Sequence, residues 1–119
     1  MKVIKLTTAG TAEQLIIDDE HKLAALQQLV GGYVEKISIT ENVDLVSHDE
    51  VKFISGHKAN PIAGRLLRHF DIALQPDDYI AGDVVLVGVA DADWISVPDS
   101  TADTLAYLGF EVTVKDEAA

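Results

Sequence analysis

Residues 84–89, Val-Val-Leu-Val-Gly-Val, constrain the fold more than any other stretch, because nothing polar interrupts them. Successive side chains of a strand point to opposite faces of its sheet. A strand that is apolar at every position must therefore be covered on both faces, as a central strand is. The run cannot cross a membrane as a helix, which takes roughly 20 apolar residues. It predicts a central strand, and the rest of the chain has to supply the cover.

Two helices are the main candidates. Leu23, Leu26, Leu29 and Val30 recur on one helical face, Asp18 or Asp19 can cap its start, and Gly31-Gly32 can end it in the left-handed conformation. Asn60 is a good N-cap and Pro61 suits the first helical position. Ile62, Leu66, Leu67 and Phe70 then form the apolar face of that second helix. Ser100 and Asp103 have the spacing of a capping box for a short third helix, stopped at Gly109.

Strand signals lie at residues 3–6 and 15–17, which predict a hairpin turning at Ala9-Gly10, and at 33–39, 43–47, 51–54 and 111–115. Trp94, just past the central strand, reads as a core plug. Strands and helices mix without strict alternation, and no repeat or linker divides the chain. The expected fold is α+β: a single domain over residues 1–115, with a mixed or mainly antiparallel sheet of five to six strands, two main helices and a short third one. Residues 116–119 are expected to fray.

Charge is unevenly placed. The net charge is −11, with 20 acidic residues against nine Lys and Arg. Residues 52–69 nevertheless hold Lys52, Lys58, Arg65 and Arg68 together with His57 and His69, and no carboxylate. The acidic remainder disfavours direct nucleic-acid binding, which draws its affinity from Lys and Arg on phosphates. It suits attraction of a basic protein. With no cysteine and no secretory pattern, the expected setting is a soluble cytoplasmic protein that uses neither a membrane nor disulfides.

The basic island is the candidate ligand or anion site. Arg65, Arg68 and His69 stand at i, i+3 and i+4, so they share a helix face. Free backbone N–H groups after Asn60 can hold an anion, and His57 and Lys58 sit in the lead-in loop. Arginine forks pair with phosphate oxygens. Because Arg68 lies about two turns from the helix start, a single ligand would have to be long, or a partner chain would have to help.

No catalytic residue is assigned. Ser47 and His48 are adjacent on a strand and point apart, there is no nucleophile elbow, and there is no glycine-rich phosphate loop before a helix. No metal or cofactor is expected: His48, Asp49, Glu50 and His57 match no standard zinc spacing, and the remaining Asp residues form no calcium loop.

Three blocks, residues 23–35 with Gly31-Gly32-Tyr33, residues 60–63 beginning Asn60-Pro61, and residues 80–88 with Gly82-Asp83 and Gly88, resemble in their order the phage and conjugative-element family catalogued as domain of unknown function 3846. The resemblance covers about residues 1–89. The chain departs from the family's pattern at 47–51, and 71–78 looks additional. The family carries no established catalytic residues, so none transfers. The resemblance implies a small accessory protein of a mobile element in the cytoplasm of a bacterial host. The leading expectation is a non-catalytic protein that binds a host macromolecule, counter-defence being one form of that role. The alternative is a sponge for a phosphorylated small molecule or nucleotide signal at the basic helix, and the third is a metal-independent hydrolase. The sequence leaves homo-oligomerisation open.

Overall fold

Residues 84–90 form strand β5 (Val84–Ala90), and its side chains from Val84 to Val87 are fully buried. The computed structural model describes residues 1–115; the tail expected to fray, 116–119, lies outside the described residues. Around β5 are β1 (Lys2–Leu6), β2 (Ala12–Ile16), β3 (Val34–Thr40), β4 (Val43–His48), β6 (Asp93–Ile95) and β7 (Val112–Val114). The sheet runs β3-β4-β5-β1-β2-β7, with β6 also paired to β5. All pairs are antiparallel except β2 with β7, so the sheet is mixed and the fold is α+β.

The sheet is covered on both faces, which is why β5 shows no polar alternation. Helix α1 (Lys22–Val30) sets Leu26, Leu29 and Val30 against Val3, Leu15, Val46, Val85 and Val87. On the other face, α2 (Pro61–His69) and α3 (Asp99–Tyr107) set Ile62, Leu66, Leu67 and Leu105 against Ile4, Leu6, Leu45, Val84 and Leu86. Each such side chain, taken fully out of water, contributes about 1.5–3 kcal/mol. Among the described residues no helix is long and apolar enough to cross a membrane.

Several local expectations are corrected. Residues 51–54 are not a strand: Val51–Phe53 is a 3-10 turn with Phe53 exposed. A strand needs a neighbour to receive its backbone hydrogen bonds, and this segment finds none. Asp18 caps a 3-10 turn, Asp19–His21, by accepting from the Glu20 N–H at 2.9 Å, and α1 begins only after it, with Leu23 half exposed. Ser100 is no N-cap, because α3 starts at Asp99 behind Pro98 without a side-chain cap. Trp94 lies on β6, a strand not expected, half-buried against the α1 side, and its Nε1–H donates to the buried Asp44 Oδ2 at 3.0 Å. Gly31 ends α1 at φ 92°, as expected of a glycine C-cap.

Candidate functional site

The start of α2 is held from inside the protein. The Asn60 side chain is buried, and its Oδ1 accepts the Ala63 N–H at 3.0 Å. Its Nδ2 donates to the carbonyls of Leu6 and Gly82, both at 2.9 Å. The Asn60 carbonyl accepts from the Gly64 N–H at 3.1 Å, and Pro61 has no N–H to offer. The expected anion hole at the helix N-terminus is therefore largely consumed. Asn60 tethers α2 to β1 and to the turn before β5, and its polar atoms are not free to meet a ligand.

The arginines are placed differently. Arg65 and Arg68 are exposed on the outer face of α2 and line one groove of about 530 Å³. Helical side chains lean toward the helix N-terminus. Arg68 follows this rule: one guanidinium nitrogen comes to 3.6 Å from the point where a Cβ on Gly64 would sit. Its head is thus folded back over the preceding turn, toward Gly64. The opposite bank is built by Asp78 and Tyr79, and the floor by Leu67, Ile72, Leu74, Ile80 and Phe110.

The cations elsewhere are neutralised. Lys5 lies 3.7 Å from Asp83, Lys22 2.8 Å from Asp93, Lys36 3.5 Å from Asp44 and Lys115 3.7 Å from Glu13. Lys2 pairs with Asp99 and Lys52 with Asp78. Among the described residues, the Lys and Arg side chains without a carboxylate partner are Lys58, Arg65 and Arg68. The groove's own carboxylate, Asp78, is already matched by Lys52, so the two arginines are the charges in its lining without an ion-pair partner among the described residues.

The other residues of the basic island do not join the groove. Lys58 is exposed at the edge, next to Ala59 of the lining. His57 is not part of the lining and is engaged by its neighbours: its Nδ1 meets the Ile54 carbonyl at 3.1 Å and its Nε2 meets the Tyr79 hydroxyl at 2.6 Å. Its ring stacks on Tyr79 at 6.0 Å, and the Lys52 ammonium lies 4.4 Å from the centre of the Tyr79 ring. Together these contacts clip the 71–80 segment to the 51–58 segment. His69 turns toward α3, edge-on to Phe70 at 4.8 Å and 6.0 Å from Tyr107. His48 Nδ1 accepts the Glu50 N–H at 2.9 Å, within its own turn. Sequence reasoning missed the far bank and floor, because residues 71–80 carry no periodic signal and Phe110 lies beyond α3.

Lys52 holds the Asp78 carboxyl below the ordinary aspartate value of 3.8, by a hydrogen bond that the Tyr79 N–H supplements. Lys22 and Lys2 do the same for Asp93 and Asp99. A depressed folded-state value stabilises the fold above the unfolded value, and that contribution is lost as pH falls through the folded value. Urea midpoints should therefore drop as pH descends below about 3.8. The variant Asp78→Asn should show a shallower drop, and an unchanged acid limb would remove this account of the clip.

Residues 1–108 match the family model described as Domain of unknown function (DUF3846). No curated protein and no solved structure matches the chain. The family match takes in β1 to β6, α1, α2 and α3, and with them nearly all of the groove.

Proposed function

The chain belongs to the DUF3846 family, and from that premise we propose a non-catalytic binding protein that holds a phosphorylated small molecule or nucleotide in the α2 groove. One observation carries this reading: the arginines left without carboxylate partners among the described residues are the two that share a groove. Binding rather than turnover is favoured by the state of the other groups there. Asp78 is engaged by Lys52, and the Tyr79 hydroxyl by His57, so neither is poised as a general base. In the setting of a phage or conjugative element, such a protein would sequester a phosphorylated signal in the cytoplasm of its host.

Titration calorimetry with pyrophosphate and with adenosine diphosphate tests it. Arg65→Ala and Arg68→Ala should each weaken binding about ten-fold, as expected for loss of a charge-assisted hydrogen bond. Both losses should shrink at high salt. Wild-type protein that binds neither compound would end the proposal.

A second reading rests on the carboxylates. Glu20, Glu41, Asp91 and Glu111 are exposed and have no ion-pair partner among the described residues, which suits a basic face of a host protein. This reading expects a salt-sensitive partner recovered from bacterial lysate that Arg65→Ala leaves bound. The hydrolase reading finds no serine or threonine nucleophile among the residues that line the groove.

A further inference from the structure

We infer that the ligand of the α2 groove is an amphipathic anion, a phosphate or similar group carried on a molecule with an aromatic or aliphatic body, and that a phosphorylated sugar lacking such a body gains nothing over the bare anion. This rests on the reading of the groove as an anion site and narrows it. Both arginines reach the groove from α2, with the Arg68 guanidinium folded back over Gly64. Beyond them the surface turns apolar. Ile72, Leu74 and Phe110 are only partly buried, and Leu67 and Ile80 lie beneath them as part of the core.

The polar groups on the far bank are already occupied. Asp78 is matched by Lys52, and the Tyr79 hydroxyl meets His57 Nε2 at 2.6 Å. The Tyr79 ring itself is partnered by Lys52 and His57. Asn60, though it touches the groove, spends both side-chain polar atoms on Ala63, Leu6 and Gly82. A sugar's hydroxyls entering here would lose water and find few free partners, which is unfavourable. An apolar body would cover aliphatic and Phe110 surface and gain from its removal from water. The charge end fixes orientation, and the body supplies the added affinity.

The test compares inorganic phosphate, ribose 5-phosphate and phenyl phosphate on the intact chain by NMR titration. Phenyl phosphate should bind about ten-fold more tightly than inorganic phosphate, the gain from covering roughly 60 Å² of apolar surface. Ribose 5-phosphate should bind no more tightly than inorganic phosphate. Leu74→Gln should erase the phenyl advantage and leave phosphate binding in place. Because the ligand comparison is made on wild-type protein, it decides the matter even if that variant fails to fold. Equal binding of all three compounds, or preference for the sugar phosphate, would overturn the inference and leave the anion-site reading standing. Binding of none of them would overturn both.

Discussion

Asn60→Ala is expected to lower stability by about 3 kcal/mol, more than any single surface change in this chain. The N-cap hydrogen bond to Ala63 accounts for about 1 kcal/mol. The rest comes from the Leu6 and Gly82 carbonyls, which lose the Nδ2 donor in a buried site, at about 1–3 kcal/mol for unsatisfied groups. Asn60→Asp separates the two parts. The introduced carboxylate keeps the cap acceptor but presents an oxygen where two carbonyls need a donor, so at neutral pH it should be no better than Ala. Its folded-state pKa should be raised, because only the protonated form can donate there. Stability of that variant should then be gained as pH falls toward the carboxyl range, opposite in sign to the Asp78 effect. Urea melts at several pH values read both results. An Asn60→Asp variant as stable as wild type at neutral pH would show that the tether of α2 to β1 is not what positions this helix. Displacement of α2 would also move both arginines, so anion binding should weaken alongside stability.

Gly88→Ala should cost about 3 kcal/mol or more, at or above the upper end of ordinary overpacking. A Cβ at Gly88 would lie 2.2 Å from the Ser96 carbonyl oxygen, a backbone atom that cannot swing aside. There the chain leaves β6 and crosses close to β5. It is pinned by the Ser96 hydroxyl, which accepts the Lys2 N–H at 2.9 Å, and by the Val97 N–H, which donates to the Lys2 carbonyl at 2.8 Å. The melting temperature should fall by about 10 °C or more. Gly10→Ala is the control: it has φ 89° but nothing within 4 Å of the added Cβ, so only backbone strain of about 1–2 kcal/mol is expected. Equal losses from the two substitutions would show that the close crossing at Gly88 has no energetic weight.

The parts of the fold that were legible in the sequence are those whose hydrogen bonds are local. Asn60 and Pro61 announce α2 because a cap and its first turn lie within four residues, and Ile62, Leu66 and Leu67 repeat at helical spacing. The first hairpin, β1 with β2, is short-range for the same reason. Residues 51–54 misled because β-branched apolar composition reports suitability for a strand and says nothing of whether an edge is available. At the site, the helix face of Arg65 and Arg68 was legible from i, i+3 spacing. The turning away of His69 toward Tyr107, the engagement of His57 by Tyr79 and the commitment of Asn60 to Leu6 and Gly82 were not, since each partner is remote in sequence or lies on another element.

By itself, the order of residues determined a doubly covered central strand, two capped helices to cover it, and a cationic face on the second of them. Those properties depend on side-chain type and on contacts a few positions away. Only the tertiary structure decided that Lys2, Lys5, Lys22, Lys36, Lys52 and Lys115 would be neutralised while Arg65 and Arg68 were left to share a groove. Pairing of charges and closure of a groove depend on which distant segments meet. That is set by the packing of α2 and the 71–80 segment against the same face of the sheet, and no local pattern encodes it.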